Sequence, residues 1–381
     1  MRRLLLMNIY SAGQLKPGMI TAARIETENG QILVLENTEL TSRLINRIRF
    51  YRIPEIAIVE ETNNESAEPN EPAAAPASQP KAGTGLLQNS TFSQKMKQSA
   101  AFKHQQIDYL FLTEKIKSCL QDIVHNKSNV NFNELLSLTS ELFRSKKTAI
   151  ELFDFLYSVR GVNDSVYAHS LNVAMISRMI GRWLHLDPHD LDVLMLAGLL
   201  HDIGKLLIPE ELLNKPGRLT DEEFQEIKKH PRYGYDILKN QNIDSRIKKA
   251  ALMHHERCDG SGYPSGLTED TIDSFAQIIA IADVYDAMTA ARSYRSPMCP
   301  FQVIGCFEKE GFQKYHTRYI LTFLEHIAST YQNCRAILND GRGCNIIMLN
   351  NSALSQPIVQ LDDNTCIDLS TESSLYITAL I

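Results

Sequence analysis

Apolar residues along 90–329 recur at helical spacing, and the stretches on either side of that segment follow other patterns. Two helix starts are marked inside it. Asp187-Pro188 sets a capping carboxylate before a proline at the first helical position, ahead of the apolar run Leu191–Leu200. Thr220-Asp-Glu-Glu223 is a capping box that opens a further helix. Upstream, Lys16-Pro17-Gly18 reads as a turn, Ile20–Thr27 as a strand, Asn29-Gly30 as a hairpin turn and Gln31–Glu36 as the returning strand. Thr41 can cap a short helix with Leu44, Ile45 and Ile48 on one face, and Ile56–Val59 is a last strand. After Cys334 the pattern turns β-like, with short runs at 345–349, 358–361 and 366–369 separated by turns at 339–341 and 362–364.

Between the first module and the helical segment, residues 60–85 are rich in Ala, Pro, Glu and Asn and almost devoid of large apolar side chains. Such a stretch cannot bury enough surface to offset its ordering entropy, which predicts a disordered linker. The expected organisation is a small α+β module over 1–60, a linker over 61–88, a helical domain over 89–333 and a small β-rich tail over 334–381. The fold class is mainly α, with β-rich pieces at both ends. About sixty residues is marginal for independent stability, so the first module is expected to dock on a larger one. It contains nothing that looks catalytic.

The 381 residues are 44% hydrophobic and 22% charged, with a net charge of −6. That balance argues against a protein that coats nucleic acid or an anionic membrane, though it permits a small anionic substrate in a local positive site. No apolar run approaches the ~18 residues of a membrane span. The apolar stretch Leu4–Met7 is too short for a signal peptide, and no small-residue cleavage site follows. The seven cysteines form no CxxC pair, which is the usage of a reduced, cytoplasmic protein.

The chemistry lies in where histidines and aspartates fall. His169 sits in an apolar helical run, and His201 and Asp202 follow Leu191–Leu200 directly. His230 precedes a proline at a helix junction, His254 and His255 end another apolar stretch, and Asp283 interrupts a third. A carboxylate in such a run is costly unless a cation or hydrogen-bond donors meet it. One such residue has an ordinary explanation as a hydrogen-bonded core group; six or seven at the ends of different helices point to a metal site. Imidazole with carboxylate suits iron or manganese better than zinc, and Asp202 beside His201 could bridge two ions.

Taken together, HDIGK (201–205), HPRYGYDIL (230–238), HHERCDGSGYPSGL (254–267) and ADVYDAMTAARSYR (282–295) closely resemble the HD-GYP domain. That group of metal-dependent HD phosphohydrolases hydrolyses cyclic di-GMP, a bacterial second messenger. The resemblance covers residues 150–330 and implies an HD-GYP helical bundle there. It also implies that His169, His201, Asp202 and Asp283 hold one divalent metal, iron or manganese. A second would be held by Asp202, His230, His254 and His255. Some members carry a Glu four residues before the first histidine, for a third metal; Ser165 stands at that position, so two metals are expected.

The implied reaction opens cyclic di-GMP to 5′-pGpG through a hydroxide bridging the two metals, with further cleavage to GMP left open. Lys205, at i+4 from His201 and i+3 from Asp202, is expected on their helix face, stabilising charge on the phosphate or protonating the leaving 3′-oxygen. Arg292 and Arg295 resemble the positions that hold the phosphate and guanine, and Gly262, Tyr263 and Pro264 form a loop that reaches the substrate. Hydrolysis of another cyclic dinucleotide is one alternative. A silent cyclic-dinucleotide receptor that signals through the N-terminal module is another. A homodimer is compatible with the sequence.

Overall fold

The computed structural model describes residues 6–26, 32–50, 53–60, 100–125, 131–146, 148–159, 165–215, 217–290, 297–372 and 374–381. The expected linker at 61–88 lies outside them, as do Arg292 and Arg295. The chain divides into two compact units, Met1–Phe111 and Leu112–Ile381.

In the first unit, β1 (Leu6–Tyr10), β5 (Ile56–Glu60) and β2 (Ile20–Thr21) form an antiparallel sheet in the order β1-β5-β2. A separate ladder joins β3 (Ile25–Glu26) to β4 (Ile32–Val34). The single strand expected over 20–27 is therefore two, because Ile20–Thr21 pairs with β5 while Ile25–Glu26 turns to β4. The buried Thr21 hydroxyl fixes this change of partner, donating to Leu35 O at 2.7 Å and accepting from Thr38 N at 2.9 Å. Thr41 accepts from Leu44 N at 3.3 Å at the start of α1 (Ser42–Phe50). Ile45 and Ile48 of α1 join Leu33, Val34, Leu40, Ile56 and Ile58 in the core.

The second unit is helical up to residue 330. Its elements are the latter part of α2 (Ala100–Val124), α3 (Phe132–Arg144), α4 (Ala149–Val159), α5 (Val166–Trp183) and α6 (Pro188–Leu200). A 3₁₀ turn (Ile203–Leu207) leads to α7 (Glu210–Leu213), α8 (Asp221–Ile227), α9 (His230–Leu238) and α10 (Ser245–Met253). Then come α11 (Ser274–Thr289), α12 (Pro300–Lys314) and α13 (Thr317–Thr330). Asp187 caps α6 by accepting from Asp190 N at 2.9 Å, and both bonds of the Thr220–Glu223 box close the start of α8. Each cap is worth about 1 kcal/mol.

Val193–Leu200 of α6 and Phe275–Asp283 of α11 are buried residue after residue. Helices apolar on all sides belong at the centre, where each large apolar side chain contributes about 1.5–3 kcal/mol. Accordingly α6 packs on α5 and α10, and α11 packs on α5, α6 and α10. The polar interruptions in these runs consequently face one interior region.

The tail forms an antiparallel sheet in the order β10-β6-β7-β8-β9: β6 is Arg335–Leu338, β7 Gly343–Met348, β8 Ile358–Leu361, β9 Cys366–Asp368 and β10 Ile377–Leu380. Three of these strands match the β-like runs in the sequence; β6 and β10 add two more. A mainly helical architecture with small β modules at both ends is thus what the pattern predicts and what is found. All seven cysteines are free thiols. Among the described residues no helix is long and apolar enough to cross a membrane.

Candidate metal centre

Three of the histidines sit at helix ends for a local reason. The last carbonyls of a helix lack intrahelical partners, and an imidazole N–H can supply one. His201 caps α6 with Nδ1 2.8 Å from Gly198 O. His254 caps α10 with Nδ1 3.1 Å from both Ala250 O and Ala251 O. His230 Nδ1 lies 2.7 Å from Ile227 O, in the last turn of α8. A carbonyl only accepts, so Nδ1 carries the proton in each ring and Nε2 offers its lone pair.

Those three Nε2 atoms converge on the carboxylate of Asp202. His230 and His254 approach Oδ1 at 3.2 and 3.6 Å, and His201 approaches Oδ2 at 3.3 Å. His230 Nε2 and His254 Nε2 are only 3.4 Å apart. Two lone pairs facing each other at that distance call for a cation between them. Among the described residues, His201 Nε2 and Asp202 Oδ1 are buried with no hydrogen-bond partner of adequate geometry. Burying such groups unsatisfied costs about 1–3 kcal/mol each.

His169 on α5 is held differently. Its Nδ1 is 2.8 Å from Asp286 Oδ2, and its Nε2 is 3.0 Å from Asp283 Oδ1 and 3.6 Å from Asp202 Oδ2. Burial pushes this imidazole down, but its bonds to Asp283 and Asp286 outweigh that and raise it to about 9. Burial has the opposite outcome for His254, lowered to about 4, and for His255, lowered well below its usual range. Both are thus neutral at pH 7, as metal ligands must be, and His169 would give up its Nε2 proton to a cation bound there. Burial would also raise Asp202 and Asp283. The Lys205 ammonium beside Asp202, and the His169 bond to Asp283, instead hold both well below the usual carboxylate range.

Ligand-type atoms therefore fall into two sets, each within 4.8 Å: Asp202 with His230, His254 and His255, and Asp202 with His169 and His201. Asp283 adjoins the second set through His169 and lies 3.8 Å from His255 Nδ1. The structure thus brings together all seven residues singled out from the sequence, with Asp202 common to both sets. The donor set, imidazole nitrogens with carboxylate oxygens, fits divalent first-row metals. Among the described residues, no other histidine joins either set. Ser165 caps α5, accepting from Ala168 N at 3.2 Å.

Lys205 Nζ lies 2.5 Å from Asp202 Oδ2. The expectation that it shares a helix face with both His201 and Asp202 needs correction. Residues 203–207 form a 3₁₀ turn, in which i and i+3 eclipse, so Lys205 stacks over Asp202 rather than His201.

The 256–268 loop is tied down from beneath. Both oxygens of the buried Glu256 accept backbone N–H groups, from Ser265 at 2.7 Å and Leu267 at 2.9 Å, and Tyr263 N donates to His255 O at 3.2 Å. This lays the Tyr263 ring on His255, with centroids 4.6 Å apart and planes 26° apart. Gly262 is obligatory here, since a Cβ would lie 2.4 Å from Glu256 Cα and Arg257 N. Pro264 is exposed.

Asp286 and Glu256 support the site through contacts that the sequence does not mark. Asp286 carries a signal, a second carboxylate one turn beyond Asp283 in the same apolar run, but its partner is 117 residues away. An orienting carboxylate fixes the tautomer of a ligating histidine and typically accounts for 10–100-fold in metal affinity. Asp286→Ala is accordingly expected to weaken binding of Mn(II) by about that factor in competition with a chromophoric chelator. An unchanged affinity would show that His169 needs no such support.

The family model for the HD domain matches residues 132–317. Among curated proteins, its relatives include cyclic-dinucleotide phosphodiesterases. Over 141 residues the chain is 40% identical to a cyclic di-GMP phosphodiesterase of Pseudomonas aeruginosa, covering 37% of this chain and 34% of that protein. It is 37% identical over 179 residues to 3′3′-cGAMP-specific phosphodiesterase 1 of Vibrio cholerae, covering 45% and 41% respectively. The chain thus spans about a third to two-fifths of the length of these relatives. An HDG"Y"P protein from Bdellovibrio bacteriovorus shares the fold, with a TM-score of 0.50 at 15% identity over 83% of this chain and 98% of the other.

Proposed function

We propose that this HD domain is a metal-dependent phosphodiesterase that hydrolyses cyclic di-GMP to linear 5′-pGpG. The observation that carries the reading is the set of imidazoles around Asp202. His201, His230 and His254 have Nδ1 bound to carbonyls, and their Nε2 lone pairs are aimed at a single carboxylate. His169, His201, Asp202 and Asp283 would hold one divalent cation, and Asp202, His230, His254 and His255 another. Two such cations acidify water and draw charge from phosphoryl oxygens.

The chain's own residues supply the rest. Lys205, held at Asp202, stands where an ammonium can donate a proton to the leaving 3′-oxygen as water adds to phosphorus and the P–O3′ bond breaks. Tyr263, against His255, walls the centre on its loop side and offers a face to a base. The usage of seven free cysteines is consistent with a cytoplasmic domain.

The test is anaerobic incubation of protein loaded with Fe(II) or Mn(II) with cyclic di-GMP, followed by chromatography. Appearance of 5′-pGpG is the expected result, and its absence despite bound metal would overturn the reading. The Vibrio relative favours 3′3′-cGAMP as a second substrate. It runs in parallel, and faster turnover of it would reassign the substrate but not the chemistry.

A further inference from the structure

Beyond Tyr263 a ladder of side chains continues outward from the centre. Lys228 is the C-cap of α8, two residues before His230. Its ammonium lies 5.4 Å from the centroid of Tyr263 and 4.7 Å from that of Phe224. Phe224 is 42% exposed, an unusual place for a large apolar ring on a short, acidic helix. The two acids of α8 closest to it in sequence are already engaged, Glu223 with Lys215 at 2.7 Å and Glu226 with Lys229 at 2.5 Å. Among the described residues Lys228 has no carboxylate partner. Its two cation–π contacts hold the ammonium in place without neutralising it.

A half-buried ammonium lacking a counterion, set beside a candidate metal centre, implies an anion that arrives with the ligand. On the function proposed above, that ligand carries two phosphodiesters on opposite sides of one ring, and the metal centre can engage only one. We propose that Lys228 and Phe224 form an outer subsite, in which Lys228 binds the phosphodiester that is not cut and Phe224 stacks on a nucleobase. Aromatic stacking tolerates any base, so the subsite would select for a second nucleotide rather than for guanine.

The experiment compares two substrates. Cyclic di-GMP has a second phosphate and bases; bis(p-nitrophenyl) phosphate has one phosphate and neither. Lys228→Met is expected to raise KM for cyclic di-GMP about ten- to a hundredfold with kcat nearly unchanged. Phe224→Ala should raise it about tenfold. Neither should alter hydrolysis of bis(p-nitrophenyl) phosphate, which a general disturbance of α8 and α9 would slow. Lys228→Arg should restore the KM, and Lys239→Met, on the exposed surface nearby, should leave it unchanged. In chelator-treated protein, where nothing is consumed, the dissociation constant for cyclic di-GMP should rise by the same factor. An unaltered KM in Lys228→Met and Phe224→Ala overturns the subsite. Failure of the unsubstituted protein to cut any cyclic dinucleotide overturns the proposed function instead.

Discussion

Asp202→Asn is expected to strip the centre of divalent metal and to lower turnover of cyclic di-GMP by about a thousandfold or more. Asp202 is the one residue common to both ligand sets. Its Oδ1 faces His230 and His254, while its Oδ2 faces His201, His169 and Lys205. Asparagine keeps the shape but removes the charge and one of the two acceptor oxygens. The fold has reason to tolerate the change, because an amide NH₂ can donate to the Nε2 atoms of His230 and His254. The variant should therefore melt close to the unsubstituted protein when both are metal-free.

Metal separates the two. A ligand that binds only the native state stabilises it by about 2.7 kcal/mol at a hundredfold excess over its dissociation constant. Added Mn(II) should raise the melting temperature of the unsubstituted protein and leave Asp202→Asn where it was. Elemental analysis of the purified proteins gives the independent measure. A variant that retains its full complement of metal would refute the bridging role, whatever its activity.

The ligand set was legible because each member contradicts its surroundings. A histidine or aspartate at the end of an apolar helical run has few reasons to be there, and seven of them share one. The caps at Asp187 and Thr220 were legible for a related reason, since they satisfy backbone groups within three residues. What escaped depends on contacts between distant segments. Asp286 meets His169 across two helices, and Lys228 meets Tyr263 across 35 residues of chain. Strands β1, β6 and β10 are defined by their partners more than by their own alternation, and β6 and β10 pair across about forty residues. The 3₁₀ form of 203–207 was hidden as well, because Ile-Gly-Lys-Leu-Leu has no local reason to tighten. The reason is tertiary, and it centres on Gly204.

Gly204→Ala is expected to destabilise the protein by about 3 kcal/mol or more, at or beyond the upper end of ordinary overpacking. On a helical turn this substitution usually stabilises by a few tenths to about 1 kcal/mol, so the prediction reverses the usual sign. A Cβ at Gly204 would lie 2.0 Å from His230 O and 2.5 Å from Gly234 N. Both are backbone atoms of α9, so no side chain can swing aside and the helix itself must move. That helix carries His230, whose Nε2 stands 3.2 Å from Asp202 Oδ1. A shift of the order of 1 Å would open this approach, so stability and metal binding should fall together. For a unit of this size, each kcal/mol lowers the melting temperature by about 2–4 °C. Gly234→Ala is the internal comparison. Its Cβ would meet nothing closer than 3.4 Å, although it lies across the same helix contact. It should melt near the unsubstituted protein and keep its metal. Equal melting temperatures and metal contents for the two variants would show that α9 can yield at Gly204, and that backbone contact is not what holds His230 at the centre.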